Sequence, residues 1–373
     1  MTTIHWLGAG LSSIPGIRRI ASKKNKLTVW NRTLSKAQQS INHISYENLK
    51  AKKFDYEKIK QEIKANDIIV SQLPANMHLE IAKICLDKNC HFISSSYLSD
   101  EIKELNKEVN EKKLIFLNEV GLDPGIDHFF SHLLVKELKS LKFKDISVSY
   151  RSYCGGIPSI PNDLKYKFSW SPVGVIKALN NISKFIENYE ERSVVPFKNI
   201  NSYMIKNEIF EAYPNRNSLP YINEYNFDKK WRIKDFVRGT LRLKGWGNAW
   251  KNIFQMLENS SNNLEELITK KSDELIINNK YKEDDEDRVV LSVELDAIKD
   301  NKKVWSKSFH LDEKGSGENT AMAKLVSLTL SAGIDLIIEN NLQTGVQGAP
   351  SNKIAIEYFF KVLSDHLIKI NYK

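Results

Sequence analysis

The sequence predicts an α/β protein: a doubly wound parallel sheet at the N-terminus, a mixed-sheet α+β domain after it, and a small helical insertion. Over roughly the first 120 residues, short apolar runs alternate with segments of helical spacing, the pattern of βαβ units. Beyond Gly125, apolar and polar residues alternate along successive segments, as they do in antiparallel or mixed sheets. A chain of 373 residues with 41% apolar content can also fill two or three separate cores.

In order, residues 3–7 read as a strand, 8–10 as a tight turn and 12–22 as a helix. Strands follow at 27–30 and 68–73, then a helix at 79–88, a strand at 91–94, one charged amphipathic helix at 100–112 and a strand at 114–117. Further on, strands are expected at 146–150, 236–243, 289–295 and 304–311, and helices at 175–186, 249–258, 263–278, 318–338 and 354–367. The acidic run 283–287 reads as a solvated loop and 343–350 as a Gly-containing loop. The expected domains are 1–124, then 125–248 together with 286–317, with the insertion at 249–285; residues 318–373 should pack back near the first domain.

Composition excludes several classes. The net charge is +9, but lysines are scattered among acids and no nucleic-acid motif occurs, so no nucleic-acid partner is expected. No run of 18 apolar residues is present, and no membrane partner is expected. The chain enters a strand almost at once, without a basic region or cleavage site, which argues against a secretory signal. Three cysteines, an odd number, suggest a reduced compartment, hence the cytoplasm, with Cys85 and Cys90 as core filler. No Cys/His cluster has ligand spacing, so no metal is expected.

Gly8-Ala9-Gly10-Leu11-Ser12-Ser13 follows a strand and opens a helix, the context of a Rossmann-like dinucleotide fingerprint. Gly8 allows the turn, and Gly10 lets the backbone approach a pyrophosphate on the helix N-terminus. Ser13 stands where a third glycine is usual. The second strand ends Trp30-Asn31-Arg32-Thr33, with no carboxylate for a ribose 2′-hydroxyl. Arg32 can grip a 2′-phosphate and stack on adenine, so NADP is expected over NAD. Leu73 and Pro74 end the third strand and would wall the nicotinamide-ribose side. His78 reads as a solvated or capping residue. Asp123 stands in a Gly-Leu-Asp-Pro-Gly turn. Cys154 precedes two glycines that let the chain pass close to a ligand. With no base visible beside it, a polar contact is expected over a covalent thiolate. Arg216, Arg238 and Arg242 would suit a substrate with several carboxylates.

Three strings carry a resemblance: Asn118 to His128, Ser152 to Pro158 and Tyr166 to Ser171, all downstream of the fingerprint. With Arg32-Thr33, Tyr213-Pro214-Asn215-Arg216 and Arg238-Gly239-Thr240-Leu241-Arg242, they resemble the saccharopine dehydrogenase family, most closely its NADP-dependent, glutamate-forming branch. The resemblance implies an oxidoreductase that joins glutamate to 2-aminoadipate 6-semialdehyde through an imine and reduces it to saccharopine, or runs in reverse. It also implies that Asp123, Tyr97 and Cys154 lie at the reacting centre, Asp123 by stabilising the iminium that hydride attacks. Ser96, Tyr97, Asp123, Cys154, Arg216, Arg238, Gly239 and Thr240 would contact substrate. Gly8, Gly10, Leu11, Ser12, Asn31, Arg32, Thr33, Leu73, Pro74, Ser95, Leu122, Asp123 and Trp170 would contact NADP. Lys165 stands where a glycine is expected, and Pro172 interrupts the segment after Trp170. Two other readings stay open: a carboxynorspermidine-type or other opine/polyamine imine reductase, and a non-catalytic NADP-binding sensor or assembly factor. A homodimer is left open.

Overall fold

The computed structural model describes residues 2–259 and 263–373, and the chain divides into two compact units. The first comprises Met1–Phe129 and Met322–Ile368, the second Phe130–Ala321 and Lys369–Lys373.

The first unit opens with β1 (Ile4–Leu7), α1 (Ile14–Ser22), β2 (Leu27–Asn31), α2 (Leu34–Ser40), β3 (Leu49–Lys53) and α3 (Tyr56–Glu62). It continues through β4 (Ile68–Ser71), α4 (His78–Asp87), β5 (His91–Ser94), α5 (Asp100–Glu104), α6 (Asn106–Glu111) and β6 (Ile115–Leu117). From there α7 (Ile126–Ser140) carries the chain into the second unit. There follow β7 (Ser147–Pro158), α8 (Pro172–Asn180), β8 (Ser183–Glu187), β9 (Glu190–Val194), β10 (Asn201–Ile205), β11 (Glu208–Pro214), α9 (Pro220–Glu224) and β12 (Arg232–Leu243). Then come α10 (Trp246–Ala249), α11 (Lys251–Asn259), α12 (Leu264–Asn279), β13 (Glu286–Lys299) and β14 (Lys302–Ser316). The chain returns to the first unit as α13 (Ala321–Ile338), β15 (Gly345–Gln347) and α14 (Lys353–Asp365), and ends in the second with β16 (Ile370–Tyr372).

The first unit is a seven-stranded parallel sheet in the order β15-β6-β5-β4-β1-β2-β3. Strands β1 and β4 are buried along their whole length, as continuous apolar strands covered on both faces must be. The direction of winding reverses between β1 and β4, the switch point where doubly wound sheets bind ligands. The second unit is a nine-stranded mixed sheet, parallel at β12–β7 and antiparallel at its other pairings. Helices α11 and α12 join α8 in a core of Tyr166, Phe168, Trp246 and Trp250.

Several elements differ from the sequence expectation. Residues 100–112 form two helices, not one, breaking at Leu105. The helix at 175–186 ends at Asn180, and Ser183–Glu187 is a strand because its period-two residues pair with β9 and β12. The loop at 343–350 contains β15, which adds to β6 as the seventh strand. Strand β3 went unseen because its Leu-Lys-Ala-Lys-Lys run is dominated by lysine and has one large apolar residue; it lies at the sheet edge, where lysines discourage further pairing. The run 283–287 is not simply solvated: Asp285 pairs with Lys167 at 2.6 Å, and Asp287 is buried, accepting from the Ala321 N–H at 2.5 Å. Helix α13 is apolar and long enough to cross a membrane, although Lys324 and Asp335 break its apolar run. Of that stretch 83% is buried inside the protein, which marks a core helix.

Candidate active site

The register of the first sheet sets the site. Leu7 pairs with Trp30 and Ser71, and Ser71 pairs with Ser94. The next residue of each strand, Gly8, Asn31, Gln72 and Ser95, therefore emerges at one level of the carboxyl edge. Gly8 has φ 102°, and a Cβ there would lie 2.6 Å from the Gln72 carbonyl oxygen, so the turn admits only glycine. A Cβ on Gly10 would meet nothing within 4 Å, so this face of the loop is open for a close-approaching ligand. Asn31 ties strand to loop: its Oδ1 accepts from the Ala9 N–H at 3.1 Å and its Nδ2 donates to the Thr33 carbonyl at 3.0 Å. Leu11, Arg32 and Thr33 are exposed and Ser12 is half-buried. Arg32 makes no hydrogen bond or ion pair with another described residue. An open glycine loop, the N-terminus of α1 and an uncommitted arginine where a carboxylate would repel phosphate fit a 2′-phosphorylated dinucleotide.

Helix α1 shows where the third glycine went. Ser13 is buried and donates to Gln72 Oε1 at 3.2 Å. The close approach falls instead on Gly16, whose N–H donates to Ser327 Oγ of α13 at 2.8 Å, and whose added Cβ would lie 2.3 Å from the Ser327 carbonyl oxygen. Sequence inspection missed this because the contact spans 311 positions.

Beside the loop, Gln72 Nε2 donates to Ser95 Oγ at 3.0 Å, while Leu73 is half-buried and Pro74 exposed. The Gly-Leu-Asp-Pro-Gly turn docks on the end of β5: the Glu119 N–H donates to the Ser96 carbonyl and Leu98 N donates to Glu119 Oε1 at 3.1 Å. Gly121 packs against Ser95, and Gly125, at φ 145°, closes the turn over Gly121. Leu122 is buried; the Asp123–Pro124 peptide is cis. His128 is buried with Glu119 Oε2 at 3.6 Å and Asp127 Oδ2 at 3.8 Å. The turn holds Asp123 so that Tyr97 Oη donates to its Oδ1 at 2.8 Å. Ser95, Ser96, Tyr97, Leu122 and Asp123 thus come together at one strand end.

His78 corrects the sequence expectation of a solvated or capping residue. It is buried, with Nδ1 2.8 Å from Ser71 Oγ and Nε2 2.8 Å from Ser96 Oγ. Burial lowers its pKa to about 4, so the ring is neutral near pH 7.

In the second unit, Cys154 on β7 pairs with Thr240 on β12, placing both on one face of the sheet; Gly239 pairs with Tyr153 and Arg238 with Ser152. A Cβ on Gly239 would lie 2.4 Å from the Tyr153 ring, and one on Gly155 would lie 2.5 Å from the Leu241 carbonyl oxygen. Arg238 is buried, its guanidinium 4.1 Å from the Tyr221 ring centre, and its backbone carbonyl accepts from Asn215 N. Arg216 is exposed on that same loop at φ 60°. Arg242, two residues past Thr240, is buried among the rings of Tyr166, Tyr213 and Trp246. Burial raises the Tyr213 pKa against the pull of Arg242. Trp170 is 37% exposed and packs on Gly174. Lys165, at the expected glycine position, takes φ 53°, and Pro172 begins α8 behind the Ser171 cap, where proline is tolerated. Among the described residues no group of His, Cys, Asp and Glu is placed to hold a metal ion.

A glycine turn at the switch point of a parallel sheet, joined by sequence to a mixed sheet, defines a two-unit dinucleotide-binding α/β protein. Residues 4–117 match the saccharopine dehydrogenase NADP binding domain and residues 121–368 the saccharopine dehydrogenase C-terminal domain. The chain belongs to the saccharopine dehydrogenase family, and NADP is the cofactor of its first domain. It is 34% identical over 257 residues to the saccharopine dehydrogenase (NADP(+), L-glutamate-forming) of Schizosaccharomyces pombe, covering 66% of this chain and 56% of that protein. It is 33% identical over 201 residues to the mitochondrial alpha-aminoadipic semialdehyde synthase of Rattus norvegicus, covering 52% of this chain and 21% of that protein. The alignments therefore span about half, or less, of these two relatives. Apo saccharopine dehydrogenase (L-Glu forming) from Saccharomyces cerevisiae superposes with a TM-score of 0.79 at 21% identity, covering 100% of both chains. A homospermidine synthase from Legionella pneumophila in complex with NAD shares the fold at a TM-score of 0.65 and 14% identity.

Proposed function

We propose that this protein is an NADP-dependent oxidoreductase that interconverts saccharopine with L-glutamate and L-2-aminoadipate 6-semialdehyde. The observation that carries the reading is the Tyr97–Asp123 pair at the carboxyl edge of a sheet whose glycine loop and Arg32 suit NADP. The activities of the fission-yeast and rat relatives support it. Bound NADPH supplies hydride to an imine carbon. Asp123 offers carboxylate charge to the amino group and to the iminium cation, and the Tyr97 hydroxyl holds that carboxylate in one orientation. In this reading Ser96 of the first unit contacts the amino-acid substrate; the substrate contacts proposed for the second unit are Cys154, Gly239 and Thr240, with Arg216 and Arg238 for carboxylates. Ser95, Leu73, Pro74 and Leu122 complete the nicotinamide side in the first unit, and Trp170 of the second unit is proposed as a further cofactor contact. A small amino-acid substrate, a cytoplasmic setting and a homodimer belong to the same proposal; light scattering reads the last.

The test is NADPH oxidation by the purified chain with glutamate plus aminoadipate semialdehyde, against polyamine and other amine donors. Consumption that requires both amino-acid partners is expected. A preference for a carboxylate-free polyamine, or tight NADPH binding without turnover of any amine, would replace this reading with the polyamine or the sensor one.

A further inference from the structure

His78 sits outside the residues that the fingerprint and the turn bring together, yet it is wired into them. It is the first residue of α4, and its ring stands edge-on to Phe92, with centres 6.3 Å apart. Its two nitrogens each lie 2.8 Å from a serine hydroxyl, Ser71 on one side and Ser96 on the other. A neutral imidazole has one donor and one acceptor, so the two serines cannot play the same role. Ser71 decides which is which. Its side chain is fully buried at the end of β4, and His78 Nδ1 is its one hydrogen-bond partner among the described residues. If Nδ1 carried the proton, the Ser71 hydroxyl hydrogen would be buried with no acceptor, an arrangement native proteins avoid. Ser71 therefore donates to Nδ1, the proton sits on Nε2, and Nε2–H donates to Ser96 Oγ. The half-buried Ser96 hydroxyl has no other partner among the described residues, so its own hydrogen points away from the framework.

We propose that His78 is a positioning residue that fixes Ser96 as a hydrogen-bond donor toward an anionic acceptor, a carboxylate of the amino-acid substrate. The inference rests on the reading of Ser96 as a substrate contact. The tautomer it requires does not depend on that reading. Two features keep the device in one state. Burial keeps His78 neutral near pH 7, and its place at the N-terminal end of α4 disfavours a second proton through the helix dipole. The opposite tautomer would turn Ser96 around and present oxygen lone pairs, which repel a carboxylate.

The first experiment is imidazole nitrogen NMR on the chain as it stands, with His78 assigned by loss of its signals in His78→Gln. Protonation at Nε2 is expected, and protonation at Nδ1 overturns the proposal whatever the substrate proves to be. The second is kinetic. His78→Leu should raise the KM of the amino-acid substrate about tenfold, with kcat changed less, while the Kd for NADPH by fluorescence stays within a factor of two. His78→Gln, whose amide can accept from Ser71 and donate to Ser96, should restore most of the loss. In a Ser96→Ala background, His78→Leu should have no further effect on KM. Additive losses in that double variant, or an equal loss of NADPH affinity, would show that His78 serves packing or the cofactor. If the wild type turns over no amino-acid substrate, the function reading fails and the NMR result still decides the tautomer.

Discussion

At the residue scale, electrostatics makes the sharpest distinctions. Arg32 is exposed and uncommitted at the end of β2, so its whole contribution should be to the 2′-phosphate. A charge-assisted hydrogen bond of that kind contributes about 1.5–3 kcal/mol. Arg32→Ala should therefore weaken NADPH binding by roughly one to two decades while NADH binding barely moves. Equal losses for both cofactors would remove Arg32 from the phosphate. Arg216 tests the substrate side. Arg216→Lys keeps charge but loses the planar fork, so KM for saccharopine should rise; Arg216→Ala should raise it further with NADPH affinity preserved. Cys154 is buried on β7 between Thr240 and Leu291 of the neighbouring strands, and Cys154→Ser should keep measurable turnover with its main effect on amino-acid KM. A trapped covalent adduct on that thiol would show nucleophilic catalysis instead. The positions of Arg32, Asp123 and the glycine loop at strand ends were legible because each lies in a short string with a local signature. His78 was not, because its partners come from two different strand ends, 7 and 18 positions away.

At the element scale, the packing of α1 on α13 depends on one missing side chain. Gly16 brings the two backbones into contact at Ser327. Gly16→Ala must push them apart, since a carbonyl oxygen 2.3 Å from the new Cβ cannot yield as a flexible side chain would. Overpacking of this kind typically costs about 1–3 kcal/mol. The expected result is a lower midpoint in urea, and an unchanged midpoint would mean the helices slide apart freely. The same contact explains why Ser13 can stand where a third glycine is usual. Period-two and period-3.6 patterns located nine of the sixteen strands among the described residues; β8 to β11 and β16 were not read as strands, α2, α3, α7 and α9 not as helices, and two further strands, β3 and β15, escaped for identifiable reasons. The first is lysine-rich at an edge, and the second is a three-residue run that pairs only because β6 is beside it.

At the scale of the whole molecule, acid should destabilise this chain through its buried histidines. His78 in the first unit and His132 in the second are each held near pKa 4 by burial, against 6.5 in the unfolded chain. Near neutral pH both are uncharged, folded or not, and no penalty arises. As pH falls through 6.5 the unfolded chain takes up protons that the folded chain refuses until about 4. Stability should thus drop between these values, by up to roughly 3 kcal/mol for each histidine. Urea unfolding at pH 7 and pH 4.5 reads this directly. Equal stability at the two values would mean that these rings are hydrated or paired with acids when charged.

The sequence by itself determined the class of fold, the nucleotide loop, the preference for NADP and the family, because each depends on residues close together along the chain or on a period that repeats locally. Tertiary structure alone decided which strand closes the first sheet, where the glycine contact of α1 falls, and that Asp287 is buried and accepts from the Ala321 N–H. It also decided that a histidine with an unremarkable sequence context links Ser71 to Ser96. These outcomes depend on the register of parallel strands. Register brings residues far apart in sequence to one level, and a hydrogen bond at 2.8 Å leaves no trace in the spacing of the residues that make it.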